Sequence, residues 1–315
     1  MCSRRIDVSR RKLLAAGAVT AAGAWPGFSA LMAHAADEPI LTRPIPRSGE
    51  ALPVIGIGTA IIFDFENDAA KYAERRKVIE ALVAGGARLI DTAHAYGRAE
   101  DRVGDLVADL TVRDKLFLAT KFSYAADAAA ANASMQASLR RLQTNRVDLM
   151  QAWKVADENY RLDLPREWKQ QGLCRYVGMT TSFAGQYRSI AKALAREKPD
   201  FLQVNYSLGN REAEETMLPA AHDAGAAVLI NLPFGRNSLF RKAGQRPLPD
   251  FAAEFGAKTW AQFFLKFILS HPAVTAVIPG TDKPEYILDN LQAGRGPLPA
   301  AAMRARMIRY WEALA

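Results

Sequence analysis

Val54-Ile55-Gly56-Ile57-Gly58-Thr59-Ala60-Ile61 is the stretch whose reading decides the fold. A β-branched run leading into Gly-x-Gly is how the dinucleotide fingerprint of an open, doubly wound sheet begins. That fingerprint needs a third glycine at the start of a helix, and Thr59-Ala60-Ile61 stands there instead. Seven more short apolar runs follow: Leu89 to Thr92, Leu116 to Lys121, Val147 to Trp153, Tyr176 to Thr180, Phe201 to Tyr206, Ala227 to Leu232 and Ala276 to Ile278. Between them, stretches such as Ala73 to Ala84, Ala128 to Leu142, Phe183 to Arg196, Glu212 to Ala224 and Thr259 to Leu269 repeat apolar residues every three or four positions, the helical period. Gly85-Gly86, Gly172 and Gly225 stand where helices or their following turns end. Eight strand-helix repeats predict an α/β fold, a single (β/α)8 TIM barrel.

Most run starts are 25 to 35 residues apart, but Ala227 and Ala276 are 49 apart. The surplus, residues 233–258, reads as a long loop at the C-terminal mouth of the barrel, where barrels keep their function. Pro39 to Pro53, turning at Ser48-Gly49, reads as an N-terminal β-hairpin plugging the opposite end, and Ala300 to Leu314 as a C-terminal helix.

Of the 315 residues, 50% are hydrophobic and 23% charged, which excludes a disordered chain. The net charge of +8 is partly local, because Arg4, Arg5, Arg10, Arg11 and Lys12 face only Asp7 in the first 35 residues. Elsewhere Lys and Arg are scattered, which argues against a nucleic-acid partner. Cys2 lies in the leader, so Cys174 has no internal disulfide partner once the leader is removed.

Ser9-Arg10-Arg11-Lys12-Leu13-Leu14 opens an apolar run that ends at Trp25 and is followed by Ala33-His34-Ala35, a small-x-small cleavage signature. Residues 1–35 resemble a twin-arginine signal peptide. The run is too short for a membrane anchor. The resemblance implies that the twin-arginine export machinery is a partner and that residues 36–315, one barrel domain, work in the periplasm after crossing folded.

The sharpest local signal is Leu89-Ile90-Asp91-Thr92-Ala93-His94-Ala95-Tyr96-Gly97, joined by Thr120-Lys121 at the end of the next run. Asp91 and Lys121 end neighbouring strands and Tyr96 follows in the first mouth loop, so all three can meet at the mouth. A phenol titrates near pH 10 and is a weak acid at neutrality; a cation beside it favours the phenolate. Asp91 would keep that cation charged in a partly dry pocket.

These residues, with Gly56-Ile57-Gly58-Thr59, Ala119-Thr120-Lys121, Val147-Asp148-Leu149-Met150-Gln151, Gln203-Val204-Asn205-Tyr206-Ser207, Ile278-Pro279-Gly280-Thr281 and Asp289-Asn290, resemble the aldo-keto reductase family from about Thr42 to Asn290. The resemblance implies hydride transfer from a reduced nicotinamide dinucleotide to an aldehyde or ketone, with Tyr96 as proton donor beside Asp91 and Lys121. It implies NADP(H), with NAD(H) as the alternative, a small-molecule carbonyl substrate, and a monomer. Neither a metal nor a covalent intermediate is required.

Trp153 stands where the family usually has a catalytic histidine. An indole donates one hydrogen bond but cannot relay a proton, so a nucleotide-binding barrel with little turnover is the alternative function. His94 reads as a solvated loop histidine, and His222 and His271 as surface or capping residues. The family's nicotinamide contacts correspond to Thr180, Thr181 and Gln203, while its stacking aromatic is replaced by Asn231. Gly58, Thr59, Ile278, Gly280, Thr281, Asp289 and Asn290 fall on the rest of the dinucleotide site. The lysine and arginine that grip a 2'-phosphate in some branches align with Gly280 and Tyr286, leaving Lys283 or Arg236 to compensate. A dinucleotide loaded before export would be held by the 233–258 loop.

Overall fold

The computed structural model describes residues 38–123, 127–153 and 161–314. The leader lies outside them. The chain begins with an antiparallel hairpin, β1 (Thr42–Pro44) and β2 (Ala51–Pro53), that pairs Thr42 with Pro53 and Pro44 with Ala51. Eight parallel strands follow in sequence order: β3 (Gly56–Gly58), β4 (Leu89–Asp91), β5 (Phe117–Ser123), β6 (Val147–Trp153), β7 (Cys174–Thr181), β8 (Phe201–Asn205), β9 (Ala227–Asn231) and β10 (Ala276–Val277). Bridges Ile55↔Val277 and Gly58↔Gly280 join the first to the last, closing the barrel the sequence predicts.

Helices α1 (Ala69–Ala84), α2 (Ala99–Leu110), α3 (Ala128–Arg141), α4 (Asp163–Gln170), α5 (Tyr187–Glu197) and α6 (Met217–Asp223) follow strands β3 to β8 in turn. After β9 come α7 (Ser238–Ala243) and α8 (Trp260–Leu269), and after β10 come α9 (Pro284–Ala293) and the terminal α10 (Ala301–Ala313). Helix α1 starts four residues before its apolar period does, because Asp68 caps it by accepting the Lys71 N–H at 3.0 Å. Helix α8 is capped in the same way by Thr259, on the N–H of Gln262 at 3.1 Å. The 233–258 segment is a correction: it contains α7 and a 3-10 helix at Asp250–Phe255, short pieces whose flanking Gly244, Pro247 and Pro249 hide any period. Among the described residues no helix is long and apolar enough to cross a membrane.

The hairpin sits at the N-terminal end of the barrel. Ile45 and Leu52 are fully buried in one cluster with Leu89, Phe117, Leu149, Tyr176, Phe201 and Ala227, the inward residues of the strand starts. A latch fixes it: the Glu50 carboxylate accepts from Arg175 and Tyr176, and Arg88 pairs with it at 2.9 Å. Burial opposes the Glu50 charge, but these donors hold its carboxyl below the usual range. Cys174 is buried at the start of β7, and burial pushes its thiol up to about 12, so it is no nucleophile at neutral pH.

Candidate active site

Strand side chains alternate, so residues two apart share the barrel interior. Phe117 and Ala119 lie in the apolar lower cluster, and the next inward residue of β5 is Lys121; on β8, Phe201 is followed by Gln203. Asp91, Gln151, Thr180 and Asn231 continue the same alternation on β4, β6, β7 and β9. The interior therefore changes from apolar to polar toward the C-terminal mouth.

Asp91 is the hub of that polar layer. Its Oδ2 lies 2.5 Å from Lys121 Nζ, with only 2% and 4% of the lysine and aspartate side chains exposed. Its Oδ1 accepts from Gln151 Nε2 at 2.9 Å and Gln203 Nε2 at 2.7 Å. Lys121 Nζ also donates to Thr92 O at 2.8 Å. Burial works against the ammonium, yet the Asp91 carboxylate and then the Tyr96 phenol outweigh it, and the Lys121 pKa stands above its ordinary value.

Tyr96 is brought to the lysine, whose Nζ lies 4.9 Å from the phenol ring centroid. The turn that aims it depends on Gly97, at φ +55°, where a Cβ would lie 2.2 Å from Asp64 Oδ1. That same Asp64 oxygen accepts the N–H of Arg98 at 2.9 Å, pinning the mouth loop after β4 to the one after β3. The three residues that the sequence brings to one rim do meet there.

Trp153 ends β6 and packs edge-on to His94, ring centroids 6.1 Å apart. His94 is a correction: it is half-buried, with Nδ1 2.9 Å from Lys121 O and Nε2 3.3 Å from Ser123 Oγ. A carbonyl only accepts, so Nδ1 carries a hydrogen, and Nε2 is left to the serine hydroxyl. Both ring nitrogens are engaged in bracing the end of β5. His222 is exposed, and half-buried His271 accepts the N–H of Ala273 at 3.2 Å in the turn just past the end of α8.

The remaining positions form two groups. Thr180 Oγ1 donates to Gln203 Oε1 at 3.0 Å, and Asn231 Nδ2 approaches that oxygen at 3.3 Å, while Thr181 Oγ1 donates to Gln186 at 2.7 Å. Where the last strand closes on the first, the N–H of Gly58 donates to Pro279 O at 3.2 Å, while on the other side of β3 that of Thr59 donates to Asp91 O at 3.0 Å. Ile278 and Thr281 are buried, Gly280 is exposed, and Asn290 donates to Thr281 Oγ1 at 3.0 Å. Asp289 is tied to α8, accepting from Thr259 at 2.8 Å and Gln262 at 2.6 Å. Arg236 is exposed on the loop after β9, and Lys283 is exposed at the start of α9. That helix has proline at its first turn and no side-chain cap, and the N–H groups of Tyr286 and Ile287 already turn back to Lys283 O at 3.1 and 3.3 Å.

Sequence reasoning missed two supports. Gln151 was a landmark rather than a partner of Asp91, although its position two residues before Trp153 puts both on the inner face. Buried Arg75 of α1 donates to Ile62 O at 2.9 Å and also to Asp282 O, stapling the loops after β3 and β10 together. Arg75→Ala is expected to lower the unfolding free energy by about 2 kcal/mol, read from urea denaturation, because it strips two carbonyls of a charged donor. An unchanged midpoint would mean that the strand bridges alone hold the seam.

Among the described residues no cluster of His, Cys, Asp or Glu could hold a metal. The Aldo/keto reductase family profile matches residues 54–306. Aldo-keto reductase str7 of Strobilurus tenacellus is 27% identical over 262 residues, spanning 70% of this chain and 76% of that protein. Among solved structures, an aldo-keto reductase from Klebsiella pneumoniae in complex with NADPH superposes with a TM-score of 0.72 at 24% identity, covering 87% of this chain and 95% of that one. The holo form of aldo-keto reductase AKR11C1 from Bacillus halodurans gives 0.70 at 22% identity, covering 86% and 96%. With its barrel, its Asp-Lys-Tyr cluster and a family match over most of its length, the chain belongs to the aldo/keto reductase family.

Proposed function

We propose that this protein is an oxidoreductase that reduces an aldehyde or ketone with a reduced nicotinamide dinucleotide, NADP(H) in preference to NAD(H). The observation that carries the reading is Lys121 Nζ, 2.5 Å from Asp91 Oδ2 and 4.9 Å from the Tyr96 ring centroid, in a buried floor that opens at one mouth. The NADPH in the Klebsiella pneumoniae relative supports the choice of cofactor.

The residues present fit such a group. Asn231 offers a shielded side-chain oxygen with no donor, and the uncapped start of α9 with Lys283 suits a phosphate. Gly58, Thr59, Thr180, Thr181, Gln203, Asn231, Arg236, Ile278, Gly280, Thr281, Asp289 and Asn290 would hold or support it. When bound, the cofactor supplies the hydride that reduces the carbonyl carbon.

This chain's residues handle the charge and the proton. As negative charge builds on the carbonyl oxygen, Tyr96 gives it the phenolic proton. The Lys121 ammonium stabilises the phenolate left behind, and Asp91 keeps that ammonium charged where water is scarce. Gln151 and Gln203 hold Asp91 in position by occupying its other oxygen. Trp153 can offer a hydrogen bond to the substrate but cannot relay a proton. The test is direct: NADPH quenches tryptophan fluorescence of the purified protein and is consumed with an aldehyde. A protein that neither NADPH nor NADH quenches sinks the assignment.

A second reading, a nucleotide-binding barrel of low turnover, is favoured by Trp153 together with the full engagement of His94, which leaves no imidazole to stand in. Trp153→His is expected to raise kcat/KM on an aldehyde panel by about tenfold or more. An unchanged, Tyr96-dependent rate would instead show a site adapted to the indole. Nucleotide binding without turnover in either form would support the sensor.

We further propose that residues 1–35 are a twin-arginine-type leader and that the mature protein is a periplasmic monomer. The order of the arginine pair, the apolar run and Ala33-His34-Ala35 supports the leader and the compartment, which cell fractionation tests, and size-exclusion chromatography tests the monomer.

A further inference from the structure

The polar floor fixes which way its amides point. An ionised carboxylate only accepts, so the atom that Gln203 turns to Asp91 Oδ1 at 2.7 Å is its nitrogen. Gln203 Oε1 therefore faces the other way, accepting from Thr180 Oγ1 at 3.0 Å and from Asn231 Nδ2 at 3.3 Å. Asn231 Nδ2 also donates to Thr181 O at 3.3 Å, which occupies both of its hydrogens. Rotating the Asn231 amide would set its oxygen against two acceptors, so Oδ1 is locked on the side away from Gln203 and Thr181 O. That oxygen is shielded from water and has no donor.

A shielded acceptor without a donor costs free energy that a ligand N–H or O–H can recover. Thr92 Oγ1 and Gln151 Oε1 are also without partners, but both residues are fully buried below the rim. Asn231 is half-buried at the open end of β9, beside Thr180, Thr181 and Gln203. A substrate carbonyl and an ionised phosphate bring acceptors, not donors, and would leave this oxygen unpaired. A primary amide brings two N–H groups in one plane.

Resting on the proposed function, we propose that Asn231 Oδ1 accepts a hydrogen bond from the carboxamide N–H2 of the nicotinamide ring. Asn231 then selects the cofactor by its amide edge, where the family's aromatic residue would cover the ring face. Aspartate at this position would lose the donors to Gln203 and Thr181, and leucine would lose the acceptor as well.

The test compares equilibrium binding of NADP and its 3-acetylpyridine analogue, in which a methyl group replaces the amide nitrogen while the ring and its carbonyl remain. Both are titrated by calorimetry against wild-type protein and Asn231→Leu, with Asn231→Ala taking the place of the leucine variant if that does not fold. Wild type is expected to bind NADP about tenfold more tightly than the analogue, and the variant to bind the two within about twofold of each other. Equal binding by wild type overturns the proposal, as does a preference that survives in the variant; in both cases the cofactor reading stands. Failure of wild type to bind either nucleotide overturns both.

Discussion

Lys121→Met is expected to reduce kcat/KM for NADPH-dependent carbonyl reduction by about 10²–10⁴-fold and to cost about 3–5 kcal/mol of stability. On the proposed mechanism, the activity loss follows from removing the cation that would stabilise the phenolate left by proton transfer. The stability loss follows from leaving Asp91 ionised, buried and without its counterion, since both side chains are almost completely enclosed. The pH dependence has a definite sign. Because the Lys121 pKa is raised in the folded protein, its contribution is fully present below the ordinary lysine value of 10.5 and disappears only as pH rises through the raised value. The stability difference between wild type and variant should accordingly be flat from neutrality to about pH 10 in urea titrations and shrink above that. A variant as stable as wild type would show that Asp91 takes up a proton or shifts to another donor when the lysine is lost.

Tyr96→Phe separates chemistry from architecture. It keeps the ring beside Lys121 and removes only the hydroxyl, so turnover should fall by about 10²–10⁴-fold while nucleotide affinity and the urea midpoint stay within error. Tyr96 is half-buried and its position depends on the Gly97 turn and Asp64, which the substitution does not touch. Retained turnover in Tyr96→Phe would remove the phenol from the mechanism and return attention to a water-borne proton. Loss of nucleotide binding instead would assign the hydroxyl to the cofactor.

The barrel was legible because each strand begins with residues that must leave water, and the spacing of those runs is a local property. Asp91 and Lys121 were legible for the same reason, as polar residues that interrupt apolar alternation at strand ends, and Tyr96 by its place in the mouth loop just after Asp91. The supports of the site were not. Arg75 and Asp282 are 207 positions apart, and nothing in either neighbourhood marks them as partners. The orientation of Asn231 depends on Gln203, which in turn depends on Asp91, a chain of inference that requires coordinates. His94 was misread because a loop position says nothing about the carbonyl of Lys121 folding back over it.

The hairpin floor has a practical consequence for anyone handling this polypeptide. Leu41 gives its N–H to Gly294 O and its carbonyl to the N–H of Val54, and Arg295 reaches Glu38 O, so the backbone is already committed within a few residues of position 38. Clipping beyond residue 41, or a rigid fusion joined directly to Thr42, would unseat Ile45 and uncover the aromatic cluster of Phe117, Tyr176 and Phe201 that it covers. Affinity handles therefore belong on the carboxyl-terminal end or upstream of Glu38 with a flexible spacer.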